Sequence, residues 1–455
     1  MTSAEFAAAA TALPLTSIFP IDTSISSRGR LALGGCDTLA LVERFGSPLY
    51  VFDETTLRSQ ARAFVRAFGE RYPDAIVRYA AKAHLTIAFA HLFADEGLSL
   101  DVVSGGELAV ALAGGFPAER IEFHGNNKTP QELDEALRAG VGRVAVDNLD
   151  EVRLLASIAE RLGVRQAAIL RVGPNVDPHT HGHTTTGLLD SKFGLPISTG
   201  QAEEAVRQMM ASPHIELRGI HAHLGSPIFE TEPYRQAIDV MAAFAADMRY
   251  RYDFECLEFS PGGGFAVQYV RETPAPEPDV YAEAIVAALR GAFEARDLPL
   301  PRLSIEPGRA LVARAGVALY TVGARKEIPG VRTYVSVDGG MADNIRPAIY
   351  GSRYEALVAN RPLAAPEERV TIAGKYCESG DVLIRDIELP RLVMGDVLAV
   401  PAAGAYCLAM SSNYNLALRP AVVLVREGRA RLVQRRETYA DLMSRDVMGA
   451  EEPLE

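Results

Sequence analysis

The chemistry of this chain is concentrated in a few short stretches, the first of them Tyr79-Ala80-Ala81-Lys82-Ala83-His84. There a lysine follows directly on an apolar strand pattern, Ala75-Ile76-Val77. A lysine at the edge of a buried strand meets a low-dielectric interior that disfavours the ammonium, so a lowered pKa and a free amine able to form a Schiff base are expected of Lys82. Further along, Gly262, Gly263 and Gly264 let successive backbone N–H groups converge on one anion without Cβ obstruction, and Ser226 and Arg309 could add donors to the same phosphate. Glu306 is a carboxylate directly after an apolar strand, either the ion-pair partner of Arg309 or the partner of a cationic heterocycle. His223 is either a satisfied core residue or a ring that stacks on a flat cofactor. A lysine, a phosphate cradle and an acid that keeps a pyridinium protonated are together what pyridoxal phosphate requires.

These groups need elements that bring them to one place. Eight short runs read as strands: Ile76–Tyr79, Leu98–Val102, Ile121–Phe123, Arg143–Val146, Ala168–Val172, Leu217–His221, Cys256–Phe259 and Leu303–Ile305. Between them lie helix patterns such as Pro130–Ala139, Leu149–Arg161 and Val280–Arg296. Eight alternations fit a closed (β/α)8 TIM-like barrel, in which catalytic groups collect beyond the C-terminal ends of the strands. An open doubly wound sheet permits the same alternation, but no GxGxxG follows an early strand. The unusual residues fall at the expected ends: Lys82 after the first strand, His223 and Ser226 after the sixth, Gly262 to Gly264 after the seventh, and Glu306 with Arg309 after the eighth. Past the seventh strand is where such barrels often bind phosphate.

Beyond Pro307 the texture changes to β-branched runs with few helices between them, among them Arg332–Val337, Arg369–Ala373, Val397–Val400 and Ala421–Val425. This half reads as a C-terminal antiparallel β-sandwich or small β-barrel, and Leu31–Leu33 is placed with it. The expected division is a pyridoxal-phosphate-binding barrel over residues 47–306, followed by a β-rich domain over 307–455 to which residues 1–46 contribute.

Composition narrows the function. A formal charge of −12 over 455 residues, with no clustered basic stripe, argues against a nucleic-acid partner. Four cysteines, Cys36, Cys256, Cys377 and Cys407, have no CxxC spacing and suit a reducing, cytoplasmic compartment. Ala7 to Ala12 has no basic residue before it, and no apolar run reaches transmembrane length, so neither export nor a membrane partner is expected. His179, His181 and His183 alternate in a loop that fixes no ligand geometry, so no metal is expected there and the loop is read as a mobile cover over the site.

Taken in order, Tyr-Ala-x-Lys at 79–82, Asp-Val-Val-Ser-Gly-Gly-Glu-Leu at 101–108, His-Gly-Asn-Asn-Lys at 124–128, Ser-Lys-Phe-Gly at 191–194, His-x-His-x-Gly-Ser at 221–226 and Glu-Pro-Gly-Arg at 306–309 resemble the fold type III pyridoxal-phosphate decarboxylases. Arg346–Gly351, Cys377–Asp381, Gly404–Tyr406 and Met410–Asn415 extend the resemblance to the diaminopimelate decarboxylase branch, from about residue 30 to about residue 425.

The resemblance implies that Lys82 carries pyridoxal 5'-phosphate, that His223 stacks on its ring, and that Glu306 meets its pyridine nitrogen. It also implies that Ser226, Gly262, Gly263, Gly264, Arg309 and Tyr406 hold the phosphate, with Arg309 and Tyr406 also near substrate. Cys377 is then the proton donor and Glu378 a ligand of the far amino group, both reaching into the partner subunit's site in a homodimer. Arg346 and Tyr350 bind a distal carboxylate. The implied reaction is decarboxylation of meso-diaminopimelate to L-lysine and carbon dioxide. Four places depart from the family's usual pattern and flank the pocket: His84, Pro227, Ser260-Pro261 and Cys407-Leu408. The competing readings are a relative acting on ornithine, lysine, arginine or a secondary-metabolite precursor, and a catalytically silent cofactor-binding regulator.

Overall fold

Eight parallel strands close into a ring: β1 (Ala75–Ala80), β2 (Ser99–Val102), β3 (Ile121–Phe123), β4 (Arg143–Val146), β5 (Gln166–Gly173), β6 (Ile215–His221), β7 (Glu258–Ser260) and β8 (Arg302–Ile305). Each pairs with the next, and β8 returns to β1 through Leu303, Ser304 and Ile305 opposite Ala75, Ile76 and Val77. This computed structural model describes residues 15–177 and 189–449, so the histidine loop 179–183 and the alanine-rich start lie outside the described residues. All eight expected strands are present, and the closed ring decides between the barrel and the open sheet.

The helices between the strands form for local reasons. Leu149–Leu162 starts on the Asn148 side chain, which accepts from the Glu151 N–H, and ends on Gly163 in the left-handed conformation; it buries Val152, Leu155, Ile158 and Ala159 along one face. Pro130–Ala139 opens on a capping box between Thr129 and Glu132 and also closes on a left-handed glycine, Gly140. Such caps stop each helix where the next strand must begin, which keeps the strand ends, and the residues after them, at one face of the ring.

Register sets the levels inside the barrel. Ala80 lies opposite Asp101, Asp101 opposite Glu122, and His221 opposite both Arg171 and Ser260. These positions put charged and polar side chains, rather than aliphatic ones, in the upper part of the ring.

The second unit comprises residues 15–54, 316–403 and 410–449, and the barrel unit comprises the described residues of 55–315 with 404–409. These limits differ from the expected 47 and 306. The strand Leu49–Asp53, inside the span 47–306 expected of the barrel, pairs instead with Gly316–Ile328 and with Ala421–Arg426, and all five of its residues are buried. A short, largely apolar run carries no local mark of which sheet will bury it.

The large sheet of this unit runs Val382–Leu389, Glu368–Ala373, Arg332–Val337, Gly316–Ile328, Leu49–Asp53, Ala421–Arg426 and Arg429–Gln434, with Val397–Val400 also paired to Gly316–Ile328. It is mixed rather than antiparallel. Arg332–Val337 runs parallel to Glu368–Ala373, and Leu49–Asp53 parallel to Ala421–Arg426, because both pairs join strands remote in sequence that no hairpin connects. Leu31–Leu33 sits in a separate three-stranded sheet, tied to the unit by the Leu31 N–H donating to Ala359 O at 2.9 Å. All four cysteines are free thiols, and no helix among the described residues is long and apolar enough to cross a membrane.

Candidate active site

Lys82 stands one turn beyond the end of β1, in the short helical turn Ala81–Ala83, with its side chain 37% exposed. Its Nζ donates to Asp101 Oδ2 at 2.8 Å. Burial lowers the lysine pKa, but Asp101, helped by Tyr406 and Glu306, more than offsets it, so the ammonium is held above its ordinary value. The expected lowering of the Lys82 pKa is therefore not found while the lysine is free: a strand end predicts the desolvation but not the carboxylate beside it. Asp101 was within the motif at 101–108 yet carried no expected role, and the available signal was its place one strand over and level with Ala80.

Glu306, 4% exposed after β8, is held from both sides. Ser260 Oγ donates to its Oε1 at 3.0 Å, and the His221 Nε2 lies 3.0 Å from its Oε2. His124 approaches Oε1 at 3.9 Å. Burial opposes ionisation, yet the two histidines and Lys82 hold the Glu306 carboxyl well below the usual carboxylate range. Of the two readings of Glu306, the ion pair with Arg309 is not what the structure contains. Arg309 Nε donates instead to Ser226 Oγ at 3.2 Å and its Nη1 to Tyr269 Oη at 2.8 Å, with the guanidinium 4.8 Å from the centre of the Tyr406 ring. Ser260, which departs from the family's usual small apolar residue, thus serves as a donor to Glu306.

The three glycines are bound by tight packing. A Cβ on Gly262 would meet Ala222 O at 2.4 Å, one on Gly263 would meet Glu306 O at 2.1 Å, and one on Gly264 would meet Gly225 O at 2.4 Å. Their N–H groups do not all converge on one point, as expected from the sequence. Gly262 donates to Ser260 Oγ at 3.1 Å and Gly263 to His223 Nδ1 at 3.3 Å, which leaves Gly264 as the one of the three whose N–H has no acceptor among the described residues. Gly264 packs on Gly225, Gly225 adjoins Ser226, Ser226 binds Arg309, and Arg309 lies over Tyr406. That chain of contacts gathers an N–H, a hydroxyl, a guanidinium and a phenol, a donor set suited to a phosphate.

His223 is kept neutral. Burial, with Lys82 and Arg171 as nearby cations, lowers its pKa to about 3, and its Nδ1 is already an acceptor for Gly263. A neutral imidazole so oriented can lie flat against a ring without adding charge. His84, another departure from the family pattern, is likewise buried, edge-on to Phe89 at 4.9 Å, with burial pushing its pKa down to about 4. Pro227 follows Ser226 across a cis peptide bond, and the buried Cys407 thiol faces Ala405 O at 3.7 Å.

Two other strand-end turns are braced by their own side chains. Ser104 caps the helix Gly105–Ala113 by accepting from the Glu107 N–H at 3.2 Å. Lys128 is buried and donates to Gly125 O, Ala145 O and Glu151, which pins the turn after β3 to β4. The atoms of His124, His221 and Glu306 come within 4.8 Å of one another, a spacing a metal ion could use, but His221 is hydrogen-bonded to Glu306 and His124 to Glu122.

The remaining candidates belong to the sheet unit. Arg346 opens the short helix Arg346–Tyr350, is 5% exposed, and donates from Nη1 to the Tyr354 hydroxyl. Cys377 and Glu378 are exposed on the loop after Glu368–Ala373. That loop is braced: Asp381 accepts from the Tyr376 N–H at 2.8 Å and the Met341 N–H at 2.7 Å, and Asn415 Oδ1 accepts from the Cys377 N–H at 3.1 Å. Asp381 and Asn415 are supports that the sequence displayed within motifs without revealing their purpose.

Comparison with known proteins agrees with this geometry. The profile of the pyridoxal-dependent decarboxylase family's pyridoxal-binding domain matches residues 55–313, more than half of the chain. The diaminopimelate decarboxylase of Bacillus subtilis is 47% identical over 422 residues, covering 93% of this chain and 96% of its own. The crystal structure of the M. jannaschii diaminopimelate decarboxylase in complex with L-lysine superposes with a TM-score of 0.87 at 34% identity, over 94% of this chain and 98% of that one. The Helicobacter pylori diaminopimelate decarboxylase complexed with L-lysine gives a TM-score of 0.82 at 29% identity, over 90% and 98%. With the lysine, the acid and the donor set gathered at one mouth of the barrel, and with that identity sustained through both units, the chain belongs to the diaminopimelate decarboxylase family of pyridoxal-dependent decarboxylases.

Proposed function

We propose that this protein removes carbon dioxide from meso-diaminopimelate to give L-lysine, using pyridoxal 5'-phosphate held at Lys82. The observation that carries the cofactor reading is the joint placement of Lys82, an ionised Glu306 and the Gly264–Ser226–Arg309–Tyr406 donor set in one unit. When bound, pyridoxal phosphate supplies an electron sink that takes up the pair left by the departing carboxylate. Gly264, Ser226, Arg309 and Tyr406 would hold the phosphate, His223 would cover one face of the ring, and Glu306 would keep a proton on the ring nitrogen. Asp101 holds and orients the Lys82 amine. Cys377 returns a proton to the substrate carbon from which carbon dioxide has left, so the bond to the carboxylate is replaced by one to hydrogen.

The reading includes a homodimer in which Cys377 and Glu378 of one subunit complete the site of the other. It also includes a cytoplasmic location, supported by the four free thiols.

Substrate choice rests on the sheet unit. Arg346 offers planar donors suited to a carboxylate, while Glu378 offers an anion to an ammonium. A substrate carrying both groups at its far end meets both residues, whereas lysine or ornithine meets only Glu378 and forgoes the charge-assisted hydrogen bonds to Arg346. That deficit costs about 2 kcal/mol, more than tenfold in discrimination. The test is carbon dioxide release from meso-diaminopimelate, L-lysine and L-ornithine by the wild type and by Arg346→Ala. The expected result is a kcat/KM for diaminopimelate far above the other two, with most of the preference erased in the variant; equal efficiency on a substrate without the distal carboxylate overturns the reading.

A further inference from the structure

Beneath Glu306 the barrel is not filled with the branched aliphatic residues usual for this fold. Arg78 of β1, 5% exposed, and Glu122 of β3, fully buried, meet inside the ring with Arg78 Nη2 3.0 Å from Glu122 Oε2. Arg78 Nη1 also donates to Ser304 Oγ on β8. The other oxygen of Glu122 lies 2.7 Å from His124 Nε2, and that same nitrogen is 3.9 Å from Glu306 Oε1. Charges buried this deeply are retained only when paired, so the row Arg78, Glu122, His124, Glu306 is expected to carry alternating sign.

We propose that Glu122, oriented by Arg78, is a positioning residue that keeps His124 in its doubly protonated form, so that a fixed imidazolium faces Glu306 and holds that carboxylate ionised toward the cofactor's ring nitrogen. The inference deepens the cofactor reading given above and rests on it for the role of Glu306. Geometry supplies the first half. Both near neighbours of His124 Nε2 are carboxylate oxygens that have no proton to give, so Nε2 must be a donor. Charge supplies the second. The groups facing His124 are Asp101 from β2, Glu122 from β3 just before it, Glu306 just after β8 and the His221 ring 4.8 Å away on β6, while the cations act one step removed, Lys82 on Asp101 and Arg171 on His221. Arg171 has its own partner in Asp147 at 3.5 Å. With Arg78 and Lys82 positive and Asp101, Glu122 and Glu306 negative, a protonated His124 brings the set to neutrality. The two imidazoles then differ in state. Burial lowers the His124 pKa, but Asp101, Glu306 and Glu122 together raise it above the ordinary value, whereas burial leaves His221 below its own.

The experiment is nuclear magnetic resonance of carbon-13-labelled histidine in the full-length chain, freed of cofactor and titrated from pH 6 to pH 9, with the His124 signal assigned by its loss in His124→Gln. His124 is expected to titrate above the free imidazole and to be protonated at pH 7 in the wild type, and in Glu122→Gln its midpoint is expected to fall. Reloaded with pyridoxal phosphate, Glu122→Gln should bind the cofactor at least fivefold more weakly. A neutral His124 at pH 7 in the wild type overturns the proposal whether or not Glu122→Gln folds, and so does an unmoved midpoint in Glu122→Gln. The titration needs no cofactor, so a wild type that fails to take up pyridoxal phosphate strikes the functional reading alone.

Discussion

Lys82 and Asp101 form an ion pair, Nζ to Oδ2 at 2.8 Å, in which the carboxylate is 1% exposed and its second oxygen has no hydrogen-bond partner among the described residues. An acid this deep with one oxygen spent on the lysine holds the amine in place and favours its charged form.

Replacing Asp101 by asparagine removes that attraction and leaves burial as the leading influence. The sign is downward: Asp101 favours the ammonium, so its loss lowers the Lys82 pKa, by about 1–3 pH units. In cofactor-free protein, trinitrobenzenesulfonate labelling of Lys82 across pH, read by peptide mass, should show half-maximal reaction shifted to lower pH by that amount. An unchanged profile would mean that the carboxylate does not set the protonation of the lysine.

At the glycine turn, Gly263→Ala puts a Cβ 2.1 Å from Glu306 O, a backbone atom that cannot step aside alone. The expected cost is about 1–3 kcal/mol in denaturant unfolding, together with weaker cofactor binding because Glu306 must move. Gly291 is the control. It lies inside the helix Pro278–Glu294 with nothing within 4 Å of an added Cβ, so Gly291→Ala should stabilise by about 0.5–1 kcal/mol.

His84 gives a pH-dependent difference with a definite sign. Its folded pKa lies near 4 against 6.5 for the free side chain, so between these values the unfolded chain binds a proton that the folded chain refuses. Stability from this residue is therefore full above 6.5 and is lost as pH falls toward 4. Relative to His84→Asn, the wild type should lose roughly 2 kcal/mol between pH 7 and pH 5. Guanidinium midpoints of both proteins at the two pH values measure this directly, and parallel changes in both would exclude it.

Site sharing has its own test. Lys82→Ala and Cys377→Ala should each be inactive alone, and mixing them under conditions where subunits exchange should restore activity through hybrids that carry one intact site. No recovery, with exchange verified by mass, would place both residues in the site of a single subunit.

The sequence by itself was enough to locate the eight barrel strands, the helices between them and the turns that carry Lys82, His223, Gly264, Glu306 and Arg309, because strand and helix periodicity and glycine placement are local properties of the chain. The motifs also displayed Asp101, His124, Asp381 and Asn415 without their purposes. What only the tertiary structure decided was which charges meet. Asp101 reverses the expected shift of Lys82, Ser260 and His221 rather than Arg309 hold Glu306, and two of the three glycine N–H groups turn to protein acceptors. Strand Leu49–Asp53 joins the other unit's sheet for the same reason: its partners, Gly316–Ile328 and Ala421–Arg426, lie hundreds of residues away. Pairing across such separations depends on ring closure and register, and a protonation state depends on distances between side chains that only closure of the barrel brings within a few ångströms of one another.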